Sequence, residues 1–184
     1  MVKVGINGFG RIGRLILRAL LENFKGKIQV VGINDLGSIE ANAHLIKFDS
    51  THGTLNHDVK TTKDGFLIGD QNIKVFAERD PAKLPWGKIG ADVVLECTGF
   101  FLDKKTAGKH IEAGAKKVII SAPAKEVDFT VVQGVNSKDL KNLITYNAMG
   151  RANTFLYVIW DKIHEKYVNQ QIGKALKIQD EVSL

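Results

Sequence analysis

One stretch constrains this chain more than any other. Gly8-Phe9-Gly10-Arg11-Ile12-Gly13 follows the short apolar run Val2–Ile6 after Asn7 and leads into a segment with Leu15, Ile16, Ala19 and Leu20 at helical spacing. Strand, glycine turn and helix in that order are the setting in which G-x-G-x-x-G serves a dinucleotide. Gly8 allows a sharp turn off the strand. Gly10 leaves no side chain between the backbone and a pyrophosphate. Gly13 lets the helix lie close to the sheet. The start of that helix offers unpaired N–H groups and a partial positive charge to phosphates.

A second apolar run, Ile28–Ile33, ends in Asn34-Asp35. Asp35 lies about 20 residues past the last glycine, where an acid accepts hydrogen bonds from the adenosine ribose hydroxyls. A carboxylate there repels a 2′-phosphate, so NAD is expected over NADP. The plainer reading of Asp35 is a loop aspartate that caps the next helix.

The remaining chain alternates strand and helix patterns. Ser38 is placed to cap a helix carrying Ile39, Ala43, Leu45 and Ile46, followed by the polar turn Asp49–Gly53. Val59, Phe66–Ile68 and Ile73–Phe76, with turns at Asp64-Gly65 and Gly69-Asp70, read as a small antiparallel insertion. Asp92–Cys97 is a buried strand. Asp103 opens a helix reaching Ile111 or Glu112 that Gly114 closes, and Lys117–Ile120, Phe129–Val132 and Leu143–Tyr146 complete the strands. The expected fold is α/β: a doubly wound, mainly parallel sheet of the Rossmann type, with the antiparallel insertion and a C-terminal helical segment. Its ligand crevice lies beyond the carboxyl ends of the strands, which carry Asn7-Gly8, Asn34-Asp35, Cys97-Thr98-Gly99 and Ser121-Ala122.

Composition narrows the classes. The chain has 184 residues, 44% of them hydrophobic, enough for a sizeable core. Its single cysteine, Cys97, excludes an internal disulfide and fits a reducing compartment. No basic-then-apolar leader and no membrane-length apolar run occur, so a cytoplasmic protein without membrane contact is expected. The formal charge of +6 is spread over scattered lysines without interleaved aromatics, so nucleic acid is not an expected partner.

Gly5–Arg14, Ile33–Asp35, Asp49–Gly53 (DSTHG), Ala77–Pro81 (AERDP), Glu96–Phe101 (ECTGFF), His110–Lys125 and Val131–Asn136 together closely resemble the N-terminal domain of glyceraldehyde-3-phosphate dehydrogenase, over about residues 1–147. The resemblance implies that Asn7, Phe9, Gly10, Arg11 and Ile12 hold the pyrophosphate, in a cofactor site whose turn and helix packing are given by the motif glycines Gly8 and Gly13. It implies that Asp35, beside Asn34, holds the adenosine ribose and that Arg79 lies along the adenine. It sets Thr98, Gly99 and Ser121 beside the nicotinamide half.

The same resemblance exposes a departure. The family's nucleophile stands in an S-N-A-S-C-T-T-N segment, where a cysteine at a helix start beside a histidine attacks an aldehyde. Here the segment reads Tyr146–Asn153, and Gly150 occupies the cysteine's place. Cys97, at the end of a core strand, reads as inert packing. The domain is therefore expected to span residues 1–153. Residues 154–184 are expected to form a helical extension that packs on it, with Phe155, Leu156, Ile159, Trp160 and Ile163 as its apolar stripe. Three functions stay open: an NAD-binding domain that does not turn over substrate, as a monomer or weak dimer; half of a phosphorylating aldehyde dehydrogenase that needs a complementary catalytic domain; and a non-enzymatic interaction or nucleic-acid module.

Overall fold

The computed structural model describes residues 1–132 and 135–136, and the backbone of 145–149. In chain order the elements are strand β1 (Val2–Asn7), helix α1 (Arg11–Asn23), β2 (Ile28–Asn34), α2 (Ile39–Lys47) and the short pair β3 (Phe48–Asp49) and β4 (Gly53–Thr54). They continue with β5 (Val59–Thr62), β6 (Gly65–Ile68), β7 (Gln71–Phe76), α3 (Trp86–Ile89), β8 (Val93–Glu96), α4 (Lys104–Ala107), α5 (Lys109–Glu112), β9 (Lys117–Ile120), β10 (Phe129–Val132) and β11 (Thr145–Met149).

Among the described residues, nine strands form one sheet in the order β10-β11-β9-β8-β1-β2-β7-β6-β5. From β10 to β7 every neighbouring pair is parallel; only β7-β6 and β6-β5 are antiparallel. This is the doubly wound α/β fold. Chain order reverses at β1, with β2 on one side and β8 on the other, which makes that place the topological switch point. The antiparallel strands extend the main sheet at one edge, because β7 pairs in parallel with β2 through Gly32↔Lys74 to Asn34↔Phe76.

Alternation along the strands divides the core between the two faces. Val30, Val93 and Leu95 face the layer built with Ile16, Leu17, Leu20 and Leu21 of α1 and Ile46 of α2. Their neighbours Val31 and Val94 face the other layer, around Trp86, Leu84 and Ala115. This is the period of two expected when both faces of a sheet are covered.

Local signals account for the helix ends. The Ser38 hydroxyl accepts the Ala41 N–H and caps α2, so Asp35 is not that helix's cap. Asp103 caps α4 through the Thr106 N–H at 2.7 Å. The single helix expected from Asp103 to Glu112 is instead two short pieces that meet at Gly108, where the Gly108 N–H still bonds the Lys104 carbonyl. On α1, Ile16 and Leu20 are buried as expected. Leu15 and Ala19 are only half-buried, and Arg18 is buried in their stead. The domain boundary at residue 153, the extension over 154–184, the start of the last strand at Leu143-Ile144, and Gly150 lie outside the described residues.

Candidate functional site

Strands β1, β2 and β8 end side by side: Asn7 stands opposite Asn34 on one flank and Glu96 on the other. Beyond these ends opens a crevice of about 550 Å³. Of the residues singled out in the sequence, Asn7, Gly8, Gly10, Asn34, Asp35, Arg79 and Thr98 line it, whereas Phe9, Arg11, Ile12, Gly13, Gly99 and Ser121 do not. Leu36, Glu78, Phe100 and Phe101 also line it without having been singled out. Each follows a strand end or an assigned residue by one or two positions, and that is the signal that was available for them.

The glycine turn is built as its sequence implies. Gly8 has φ +92°, and a Cβ there would lie 2.7 Å from the Thr98 nitrogen. A Cβ on Gly13 would collide with the Gly8 carbonyl oxygen, so the first turn of α1 lies directly on the end of β1. Gly10 differs from both. A side chain there would meet nothing within 4 Å, so the protein itself does not demand glycine, and the open space faces the crevice. Gly10 is the N-cap of α1 and supplies no side-chain cap, and the first turn carries no acid. The helix start thus brings uncapped N–H groups and its positive end to the crevice, an arrangement suited to an anion.

Asp35 is fixed by three donors. Its Oδ2 accepts the Phe9 N–H at 2.8 Å; Oδ1 accepts the Gly37 N–H at 2.9 Å and the Asn42 Nδ2 at 3.4 Å. Phe9 itself is only 1% exposed, with its ring stacked on Phe66, so its contribution at the turn is backbone and packing. Arg79 is exposed at the same end, and Leu36 and Phe100, 56% and 84% exposed, give the crevice two apolar walls.

The crevice floor is a buried hydrogen-bond network absent from the sequence reading. The Glu96 Oε2 accepts from Asn7 Nδ2 at 2.6 Å and lies 3.0 Å from His110 Nε2. Its Oε1 accepts the Thr98 N–H at 2.8 Å and the Thr98 hydroxyl. Trp86 donates its indole N–H to His110 Nδ1 at 2.9 Å. An indole nitrogen can only donate, so Nδ1 is the acceptor and His110 is the Nε2–H tautomer, donating to Glu96. The orientations then propagate. Asn7 turns its amide nitrogen to Glu96 and its Oδ1 to Asn34 Nδ2 at 2.7 Å. Asn34 in turn pairs with the Glu78 backbone at 2.8 Å in both directions. The side chains of Asn7, Asn34 and Thr98 are therefore committed to the protein, and the Thr98 oxygen also accepts the Phe100 N–H at 3.1 Å.

Cys97 lies at this floor on the end of β8. Burial pushes its thiol up to about 12, and the neighbouring Glu96 charge raises it too, against a lowering hydrogen bond with Ser121. Cys97 is half-buried and lines the crevice, but such a thiol stays protonated at neutral pH and is a poor nucleophile. Ser121 donates its N–H to the Glu96 carbonyl at 2.9 Å, next to Cys97 rather than on the crevice wall. Among the described residues no His, Cys, Asp and Glu cluster could hold a metal ion, and no helix is long and apolar enough to cross a membrane.

Residues 2–104 match the family model of the glyceraldehyde 3-phosphate dehydrogenase NAD binding domain. The chain belongs to the glyceraldehyde-3-phosphate dehydrogenase family. It carries that family's cofactor domain, and its cofactor is NAD. It is 51% identical over 174 residues to a glyceraldehyde-3-phosphate dehydrogenase of Xanthobacter flavus, covering 94% of this chain and 50% of that protein. It is 55% identical over 135 residues to glyceraldehyde-3-phosphate dehydrogenase 1 of Bacillus subtilis, covering 73% of this chain and 40% of the relative. A Zymomonas mobilis relative is 52% identical over 168 residues, with 88% and 50% covered. The chain spans about half the length of the curated relatives it matches. At 94% coverage the Xanthobacter match extends beyond residue 153.

Proposed function

We propose that this chain holds NAD in the crevice at the β1–β8 switch point and does not turn over substrate as written. The pyrophosphate lies on the start of α1, over Gly10, Arg11 and Ile12. The adenosine ribose is on Asp35. The adenine is against Leu36 with Arg79 alongside, and the nicotinamide half is over Thr98 and Gly99 toward Ser121. The observation that carries this reading is the open, uncapped start of α1 facing the same crevice as a carboxylate clamped at the end of β2. When bound, NAD would supply a hydride acceptor. The chain's own residues bind it and set its two halves on opposite sides of β1.

Gly150 supports binding without turnover, because glycine has no group to attack an aldehyde. Half-length coverage of the relatives favours a second reading, in which this chain is one half of a phosphorylating aldehyde dehydrogenase. Activity would then require both a complementary catalytic fragment and Gly150→Cys. We further place the protein in the cytoplasm, as a monomer or weak dimer, with residues 1–153 as the cofactor domain and 154–184 packed on it; the lone cysteine supports the reducing compartment.

A calorimetric titration tests the cofactor reading. Wild type is expected to bind NAD and to bind NADP more weakly, and Asp35→Ala is expected to lose NAD affinity. Absence of NAD binding by wild type, or equal binding by Asp35→Ala, overturns it.

A further inference from the structure

The residues that face the crevice near β8 are held by one that never reaches it. The Glu96 side chain has no exposed surface, yet its carboxylate takes two donors from Thr98, one from Asn7 and one from His110. We propose that Glu96 is a positioning residue for the cofactor, acting through Thr98 to fix the 98–100 turn on which the nicotinamide half rests. This inference rests on the cofactor placement proposed above.

The turn has little else to define it. Thr98 gives its N–H and its hydroxyl proton to Glu96 Oε1, and the hydroxyl oxygen accepts the Phe100 N–H at 3.1 Å. Gly99 between them has φ +77° and is exposed. Thus the path from β8 to the crevice wall at Phe100 passes through two hydrogen bonds to one buried oxygen. A carboxylate suits this place because all its neighbours are donors and it has no hydrogen to conflict with any of them.

An amide in its place must turn its nitrogen toward one side. On the Oε2 side stand Asn7 Nδ2, oriented by the Asn34 pairing, and His110 Nε2–H, which cannot change tautomer while Trp86 donates to Nδ1. On the Oε1 side the Thr98 hydroxyl can rotate to accept. The amide nitrogen therefore goes to Thr98, where it opposes the Thr98 N–H, and the damage falls on the 98–100 turn. Glu96→Gln is a selective lesion of that turn, although the side chain it replaces is buried.

The test is a calorimetric titration of the full chain with NAD and, separately, with AMP, which lacks the nicotinamide half. Glu96→Gln is expected to weaken NAD binding roughly tenfold, the effect of about one charge-assisted hydrogen bond, while AMP affinity stays within about twofold of wild type. Thr98→Val keeps the backbone donor and the shape but removes the hydroxyl, and about a threefold loss for NAD alone is expected. It carries the test if Glu96→Gln does not fold. A folded Glu96→Gln with wild-type NAD affinity overturns the proposal and leaves Glu96 a purely structural residue. Equal losses for NAD and AMP also overturn it, because the effect would not run through Thr98. Unchanged NAD affinity in Thr98→Val counts against it likewise. A wild type that binds AMP but gains nothing from the rest of NAD refutes the nicotinamide placement itself, before any variant is compared.

Discussion

Asp35 at the end of β2 accepts the backbone N–H of Phe9 in the turn after β1, at 2.8 Å. One carboxylate thus joins the two strand ends between which the adenosine half is proposed to lie. Asp35→Ala removes both the ribose acceptor and this clamp. NAD affinity is expected to fall about 10- to 100-fold, the range for losing one or two charge-assisted bonds, and AMP affinity should fall in parallel. Isothermal titration with both ligands checks this; a variant that loses NAD but keeps AMP would place the acid elsewhere on the cofactor.

Cys97 makes a prediction about pH. Its folded thiol is pushed up to about 12, chiefly by burial, whereas an unfolded cysteine titrates at about 8.5. Between these values the folded state retains a proton that the unfolded state has released, so unfolding becomes more favourable as pH rises. The contribution is fully present below about 8.5 and is lost progressively toward 12. Urea unfolding of wild type and Cys97→Ala from neutral to alkaline pH is expected to show the steeper decline in wild type. Equal slopes would mean that the thiol already ionises in the folded protein.

Arg18 is 5% exposed, and its Nη2 donates to the carbonyls of Ile46, Lys47 and Gly53 at 2.8, 3.2 and 3.0 Å. It thereby ties α1 to the end of α2 and to β4, with its positive charge at the negative end of α2. Arg18→Ala should cost about 2–4 kcal/mol by chemical denaturation, because one buried and two part-buried carbonyls lose their donor at once. A change below about 0.5 kcal/mol, the size of an ordinary surface substitution, would show that water replaces the guanidinium without loss.

Trp86 sits fully buried, with its N–H on His110 Nδ1. Trp86→Phe keeps an aromatic ring but leaves that nitrogen without its donor, at an expected cost of about 1–3 kcal/mol. It also frees His110 to change tautomer. Glu96→Gln introduced into Trp86→Phe should therefore cost less NAD affinity than it does alone. A double-mutant cycle measures this, and strictly additive losses would show that Trp86 does not hold the tautomer.

What could be read in the sequence was local. The Gly8–Gly13 turn, the Ser38 cap and the strand at Lys117–Ile120 depend on neighbours a few residues away, and the structure places them where the sequence put them. The floor of the crevice depends on pairs far apart in the chain. Asn7 meets Glu96 across 89 positions and His110 across 103, so no spacing rule reveals them. Asn7 and Thr98 line the crevice, but their side chains serve the network beneath it. Arg18 was hidden for another reason: a charge on the apolar stripe of a helix is ordinarily read as solvated, and only the fold brings three carbonyls to it.

The most direct measurement is a crystal structure of the chain grown with NAD. Density for the pyrophosphate is expected at the backbone N–H groups beginning α1, with the adenosine ribose hydroxyls on Asp35 and the nicotinamide ring on the Thr98 side of β1. A reversed cofactor, or a crevice left empty at saturating NAD while the chain stays folded, would contradict it.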